Sequence, residues 1–277
     1  MRSESMQAAH GVGWLDAQAP WPVGVRAGFT LRQGGVSEAP WASLNLGDHV
    51  GDCPDHVLQN RLRLGRALDV EIGYLRQVHG LDVVQLEGVQ AQPLVADACW
   101  TDAPRKAATV LVADCLPILL ASADGRSVAA VHAGWRGLAG FGGLNVLDAL
   151  IRQWPAARSA AGRQGLCVWL GPCIGPQAFE VGAEVMAAFT HTDAGAAACF
   201  TRLPSPEGAP KWLADLPQLA RRALHRLGVT NVHGNDGSPD WCTVTQPSRF
   251  FSHRRDARLH GTTGRMAALI WRESSSG

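Results

Sequence analysis

The chain has 277 residues, a formal net charge of +1 and no block of five like charges, which argues against a surface built to bind nucleic acid. Its hydrophobic content of 46% and charged content of 18% are typical of a globular protein with a substantial core. No apolar run reaches the roughly 18 residues that a membrane-spanning helix needs, so no membrane partner is expected.

The seven cysteines are odd in number and scattered, and no two of them form a C-x-x-C pair. Reduced thiols and a cytoplasmic location are therefore expected rather than a disulfide framework. Residues 1–18 lack the apolar segment of a secretory signal. We expect residues 1–20 to be a loose leader before a single catalytic domain over residues 21–277.

Hydrophobic periodicity predicts both helices and strands along the chain. The helices are expected at 57–68 (capped by Asp55), 138–154, 176–189 and 213–227, the last ending at Gly228. Strands are expected at 24–30, 72–78, 83–86, 107–114, 117–121, 128–132, 166–170, 229–232, 241–244 and 266–271. This mixture predicts an α/β (α+β) fold, a single layered domain with mixed sheets.

Three short segments carry the chemistry: QVHG at 77–80, ADCLP at 113–117 and AVHAGWRG at 130–137. Each places a metal-binding side chain, His79, Cys115 or His132, close to an apolar run and a Gly or Pro. Such breakers end strands, so the three side chains are expected at the rim of a sheet. Two imidazoles and one thiolate would form a three-ligand zinc site with an open fourth position, the catalytic form of zinc site.

Each of these residues also has a plainer interpretation. Cys115 could be a buried structural cysteine, and either histidine could be a satisfied core residue. The separations of 36 and 17 residues match no compact zinc-finger pattern. The shared setting of the three residues is what favours a common site.

A longer series of motifs gives these segments a family context. The chain resembles the multicopper polyphenol oxidoreductase (laccase-like) family over nearly its whole length. Besides the three segments above, the resemblance rests on FTLRQGGVS at 29–37, SLNLG at 43–47, VGD at 50–52, NR at 60–61, LGPCIGP at 170–176, FEVG at 179–182 and FFSHRRD at 250–256.

The resemblance implies a function and a fold. Members of this family are better described as purine nucleoside phosphorylases with adenosine deaminase activity. They cleave adenosine, inosine, guanosine or methylthioadenosine with phosphate, and the products are the free base and ribose 1-phosphate. The fold implied is a laccase-like domain related to cysteine hydrolases. The family's catalytic zinc corresponds to His79, Cys115 and His132, with copper as the alternative metal and no obligate protein partner.

The chain departs from the family pattern at two places. Gln177 and Ala178 stand where relatives usually carry a Cys-Cys pair, and His253 stands where relatives often have Tyr. Any redox role of that cysteine pair is therefore not expected here. The three metal positions are intact.

Phosphorolysis also requires groups that hold phosphate and ribose. Arginine is the natural phosphate fork, and the candidates are Arg32, Arg136 and the pair Arg254 and Arg255. The alternative for each is a surface ion pair.

Three polar residues are candidates for substrate contacts. They are Asn45, Gln77 and Asp114, and the alternative for Asn45 is a turn-capping role.

Other functions stay open at this point. Cys115 could be a nucleophile with His132 as its base and no metal, as in deamidases. A role in peptidoglycan editing leaves no separate signature. Copper oxidation of phenols is disfavoured, because multicopper oxidases need about ten His ligands in His-x-His pairs. This chain has ten His in all and no His-x-His.

Overall fold

The structure is a computed structural model that describes residues 11–88, 92–204 and 209–274. Its strands are β1 (Trp14–Asp16), β2 (Val25–Thr30), β3 (Glu71–Gly73), β4 (Leu75–Arg76), β5 (Val83–Gln85), β6 (Leu94–Val95), β7 (Ala98–Thr101), β8 (Lys106–Val112), β9 (Leu116–Ala121), β10 (Val128–Ala133), β11 (Cys167–Leu170), β12 (Glu180–Val181), β13 (Phe200–Arg202), β14 (Trp212–Ala214), β15 (Val232–Gly234) and β16 (Met266–Arg272). Its α-helices are α1 (Pro54–Leu68), α2 (Trp135–Ala139), α3 (Val146–Gln153), α4 (Ala160–Gln164), α5 (Ala183–Thr192), α6 (Leu216–Arg226) and α7 (His253–His260).

Two mixed sheets form the centre of the fold. The first has the strand order β1-β2-β16-β8-β3, and only β3 and β8 run parallel. The second has the order β15-β11-β9-β10-β7-β5, with parallel pairs at both edges. Two smaller sheets, β12-β14-β13 and β4-β6, lie outside them. The expected α/β fold with mixed sheets is confirmed.

The buried side chains divide into three clusters that define the layers. One cluster fills the space between the two sheets and contains Val110 of β8 and Ala130 of β10. A second joins the outer face of the six-stranded sheet to α3 and α6, with Leu150 among its members. The third joins the outer face of the five-stranded sheet to Leu64 of α1. Each main sheet is therefore covered on both faces.

Burial on both faces explains why the central strands are continuous apolar runs rather than alternating ones. Every residue of β8, β9 and β10 is buried. Along β10, Val128 and Ala130 face the space between the sheets, and Ala129 and Val131 face the helices. By the two-residue period of a strand, His132 belongs to the inter-sheet side.

The prediction of one long helix at 138–154 is wrong. The structure has α2 and α3 instead, because Gly140, Gly142 and Gly143 adopt positive φ and end the first helix. Asn145 then begins the second helix, since its side chain accepts hydrogen bonds from Leu147 N and Asp148 N.

Two other helices begin later than expected. The segment expected as a helix from 176 contains β12 and then α5, so its apolar residues Phe179 and Val181 belong to a strand-like segment. The segment from 213 contains the end of β14, and α6 begins after Asp215, which accepts a hydrogen bond from Gln218 N. Gly228, just past α6, has a φ of 82°, as expected at a helix end.

Several smaller differences concern single elements. Helix α1 begins at Pro54, and its cap position is Cys53, with no side-chain bond from Asp55. The strand expected at 72–78 is divided between β3 and β4, and 241–244 is not a strand. Residues 1–10 of the expected leader lie outside the described residues, whereas Trp14–Asp16 pairs with β2.

All seven cysteines are unpaired, as expected. Among the described residues, no helix combines the length and the apolar character that crossing a membrane requires.

Candidate active site

His79 lies in the connection between β4 and β5, and its backbone has a φ of 60°. This left-handed conformation is costly for a residue other than glycine. The carboxylate of Asp97 compensates, because it accepts hydrogen bonds from the consecutive backbone N–H groups of Val78, His79 and Gly80 at 3.1, 2.9 and 2.7 Å. A single buried carboxylate thereby fixes the loop that presents His79.

Cys115 lies where the chain passes from one main sheet to the other, between β8 and β9. The preceding residue, Asp114, has a φ of 91° and is buried. Its carboxylate accepts hydrogen bonds from the Thr243 hydroxyl and from Arg254 N. These contacts tie the crossover to the start of α7 and place the Cys115 thiol at the rim.

His132 is the next-to-last residue of β10 and is buried. Its Nδ1 lies 2.8 Å from Asp97 Oδ1. Although burial alone would raise it, the pKa of Asp97 is lowered by the hydrogen bond from His132 and by the backbone donors. Because an ionised carboxylate only accepts, Nδ1 carries a proton, and Nε2 is the ring nitrogen left to bind a metal ion.

The three expected metal ligands are brought together. Their ligand atoms all lie within 4.8 Å of one another. His79 Nε2 is 3.7 Å from Cys115 Sγ, and the two imidazole rings meet edge to face at 4.8 Å between centroids. Gly134 makes room for them, because a Cβ there would lie 2.9 Å from His79 Cδ2 and 3.1 Å from Cys115 Sγ.

The electrostatics of the cluster favour a thiolate. Burial opposes ionisation of Cys115, but His132 and His79 lower its pKa to about 6. Burial likewise opposes protonation of His132, but Cys115 and Asp97 raise its pKa to about 9. Cys99, a buried thiol of the inter-sheet cluster, behaves in the opposite way, since burial raises its pKa to about 12.

The cluster opens into a pocket of about 470 Å³, a size typical of small-molecule sites. One wall is apolar and includes the buried residues Ile174, Phe179 and Leu216. Basic side chains make up much of the remainder: His49, Arg136, His253, Arg254 and Arg265.

The expected arginines fall into two groups. Arg136 and Arg254 line the pocket, Arg136 with its guanidinium 4.7 Å from the Trp135 ring centroid. Arg32 and Arg255 are absent from its lining. Arg32 donates to the carbonyls of Ala42 and Pro247 through all three of its nitrogens.

The three polar residues that were expected to contact the substrate also fall into two groups. Gln77 and Asp114 line the pocket, but the Gln77 side-chain amide is bonded at both ends to the backbone of Leu111, at 2.8 Å each. Asn45 is fully buried outside the lining, and its Oδ1 accepts from Gly47 N and Arg265 N. Asn45 therefore holds a loop.

Sequence reasoning missed Asp97, Arg265 and His49. Asp97 is the acidic residue that accepts four hydrogen bonds beneath the cluster. A lone Asp inside the apolar segment 94–100 was a usable signal, because a buried carboxylate requires partners. Arg265 precedes β16 and carries no comparable sequence mark.

A family model described as multi-copper polyphenol oxidoreductase laccase matches residues 26–273. The chain belongs to this family.

Individual proteins also resemble the chain over most of its length. Purine nucleoside phosphorylase YfiH of Shigella flexneri is 46% identical over 256 residues, covering 92% of this chain and 96% of that protein. The crystal structure of Neisseria meningitidis protein NMB0706 has a TM-score of 0.82 and 40% identity, covering 95% of this chain and 100% of that one. YlmD from Geobacillus stearothermophilus has a TM-score of 0.78 and 33% identity, covering 95% and 97%.

The laccase family's name implies copper, and the donor set limits which metal the site can hold. One thiolate and two imidazoles suit zinc in a three-ligand catalytic site, and they also suit a single copper ion. In the part of the chain that the structure describes, His79, Cys115 and His132 are the one group of three or more such ligands close enough to share an ion. The residues fit one metal ion and do not supply a multicopper cluster.

Proposed function

We propose that the chain is a zinc-dependent purine nucleoside phosphorylase. It cleaves adenosine, inosine, guanosine or methylthioadenosine with phosphate, giving the free base and ribose 1-phosphate, and deaminates adenosine as a side activity. The observation that carries the proposal is the position of the His79, Cys115 and His132 cluster in a pocket also lined by three arginines. The names of the relatives support the same reaction.

The two substrates of this reaction match the two characters of the pocket. A purine is flat and mostly apolar, and Ile174, Phe179 and Leu216 offer an apolar surface to it. Phosphate is a dianion, and Arg136 and Arg254 offer guanidinium groups. Holding both substrates in one pocket converts a bimolecular encounter into an oriented reaction.

His79, Cys115 and His132 would hold the metal. When bound there, zinc supplies a Lewis acid that polarises an oxygen of a substrate or of water. Asp97 keeps the proton of His132 on Nδ1 and fixes the loop of His79, so both imidazoles are pre-positioned. The protein's part is binding, orientation and electrostatic stabilisation of the departing base.

Phosphate dependence tests this proposal. Purified protein with its metal content measured is mixed with inosine, with and without phosphate, and base release is followed. We expect base to be released only when phosphate is present. In a parallel mixture with adenosine, we expect slow production of ammonia. An equal rate of base release without phosphate would remove phosphorolysis.

One observation favours a second candidate, a cysteine hydrolase or deamidase. Asp97, His132 and Cys115 follow one another in the order acid, imidazole and thiol, as in a nucleophilic triad. In this case His132 accepts the proton of the Cys115 thiol, and the resulting thiolate attacks the substrate. Such an enzyme keeps its activity after complete removal of metal, whereas the phosphorylase loses it.

We also propose one catalytic domain over residues 21–277 and a cytoplasmic location. The two main sheets share one core cluster, which supports the single domain. Seven unpaired cysteines support a reducing compartment.

A further inference from the structure

Arg265 lies immediately before β16 and lines the same pocket as the metal-ligand cluster. The loop around Asn45 clamps it, because Asn45 Oδ1 accepts from Arg265 N at 2.8 Å and Leu46 N donates to Arg265 O at 3.1 Å. Gly47 packs on its stem, since a Cβ there would lie 2.7 Å from Arg265 Cγ. Backbone and stem are therefore both fixed.

The guanidinium of Arg265 is anchored at one nitrogen. Its Nη1 donates to Thr263 O at 3.0 Å and to Gly264 O at 3.3 Å. No described residue accepts a hydrogen bond from Nε or Nη2, and neither is a buried unsatisfied atom. The Nε–Nη2 edge is the one that binds an oxyanion through two parallel hydrogen bonds.

The two expected arginines outside the pocket lining, Arg32 and Arg255, differ in this respect. Arg255 donates through Nε, Nη1 and Nη2 to the side chain of Asp256 and to carbonyls including Thr243 O. Arg32 is likewise used at all three nitrogens. Neither has a free edge to offer a ligand.

The charge of Arg265 also lacks a fixed partner. Within residues 11–88, 92–204 and 209–274, no carboxylate forms an ion pair with it. The one carboxylate in the pocket lining, Asp114, accepts instead from Thr243 and Arg254 N. Burial lowers the pKa of Arg265, although Cys115 and Asp114 act against it. Withdrawing a cation from water without a partner is costly, and a bound anion would offset that cost.

We propose that Arg265 is the principal phosphate-binding residue of the pocket, with its Nε–Nη2 edge as the fork for inorganic phosphate. This inference rests on the proposed phosphorolysis and names the site of its second substrate. Arg136 is exposed and stacks on Trp135, so it serves as an outer cation of the same site. Asn45 acts on the substrate only through Arg265, as a positioning residue.

The test compares Arg265→Gln and Arg265→Lys with a matched control, Arg221→Gln. Arg221 is also partly buried, also has a pKa lowered by burial, and also donates to carbonyls, of Val232 and Asn235, but lies outside this pocket. Initial rates are measured against inorganic phosphate at saturating inosine and against inosine at saturating phosphate. The melting temperature is recorded with and without phosphate.

We expect Arg265→Gln to raise the KM for phosphate at least about tenfold, with the KM for inosine changed less than about twofold. Arg265→Lys should fall between Gln and wild type, because lysine keeps the charge but loses the fork. Phosphate should raise the melting temperature of wild type and of Arg221→Gln, but not of Arg265→Gln. If the Gln variant does not fold, the Lys variant decides the question by a smaller rise in the KM for phosphate, again with the KM for inosine little changed.

Failure of this inference is distinguishable from failure of the proposed function. A phosphate-dependent wild type, with an unchanged phosphate KM in the folded Arg265 variants, would overturn the role of Arg265 alone. If the wild type releases base without phosphate, the proposed phosphorolysis is excluded. The effect of phosphate on the melting temperatures then tests whether Arg265 forms an anion site. Loss of the phosphate shift in Arg265→Gln supports the anion site, and its persistence contradicts it.

Discussion

The Nδ1 atom of His132 lies 2.8 Å from Oδ1 of Asp97, and both side chains are buried. The same carboxylate holds the backbone of the loop that presents His79. Asp97, which lies outside the pocket lining, therefore positions two of the three expected metal ligands: it holds the side chain of His132 and the backbone of His79.

Asp97→Asn should weaken zinc binding by about 10–100-fold, because the amide cannot accept all four hydrogen bonds and no longer stabilises the His132 tautomer. We also expect the free energy of unfolding to fall by about 1–3 kcal/mol. Competition with a chelator measures the zinc affinity, and urea denaturation measures the free energy of unfolding.

Asp148→Asn provides the matched control. Asp148 accepts a hydrogen bond from Asn145 N at the start of α3 and lies outside the pocket lining. Its loss should cost about 1 kcal/mol of stability and leave zinc affinity unchanged. Equal zinc affinity in wild type and Asp97→Asn would show that Asp97 is structural only.

Replacement of His79, Cys115 or His132 by Ala should remove most of the zinc while the fold is retained. Each supplies one of three ligand atoms, and two ligands hold zinc poorly. Cys99→Ala is the control, because Cys99 is a buried thiol of the inter-sheet cluster outside the pocket. Metal content by mass spectrometry decides, and full zinc occupancy in Cys115→Ala protein would exclude the assignment.

Removal of the metal separates the two candidate reactions. Dialysis against a strong chelator should abolish base release, and added zinc should restore it. Cys115 should become alkylated by iodoacetamide faster after zinc removal, since a metal-bound thiolate is shielded. If the activity survives at zero measured metal and is lost on alkylation, the cysteine hydrolase is the better description.

Arg136→Ala should raise the apparent KM for phosphate by about three- to tenfold, less than the change at Arg265, because Arg136 is exposed. Its effect on stability should stay within about 1 kcal/mol, since only an exposed stack on Trp135 is lost. Arg152→Ala, an exposed arginine on α3, should change neither quantity. An unchanged phosphate KM in Arg136→Ala would remove the assignment of this residue while leaving the reaction intact.

The sequence allowed the prediction that His79, Cys115 and His132 lie together because all three have local marks. His79, Cys115 and His132 stand near apolar runs and chain breakers, and those runs are strands of a doubly covered fold. Asp97 has only a weaker mark, as a lone acid in an apolar segment, and Arg265 has none. Their importance comes from the approach of residues up to 220 positions apart in sequence, which no local pattern encodes.

The errors in secondary structure have a similar cause. At 138–154 the apolar spacing is helical throughout, but three glycines at positive φ stop the helix, and Asn145 begins another. At 176–189 the segment pairs with β14, a strand that begins at Trp212. Tertiary pairing overrides local periodicity in such short segments.

The identity of the sugar product is the most direct test of phosphorolysis. Wild-type protein loaded with one equivalent of zinc is incubated with inosine and phosphate, and the products are analysed by ³¹P NMR and base chromatography. We expect one ribose 1-phosphate for each hypoxanthine released, and we expect both products to be lost in Cys115→Ala protein. Free ribose in place of ribose 1-phosphate, formed equally without phosphate, would contradict phosphorolysis.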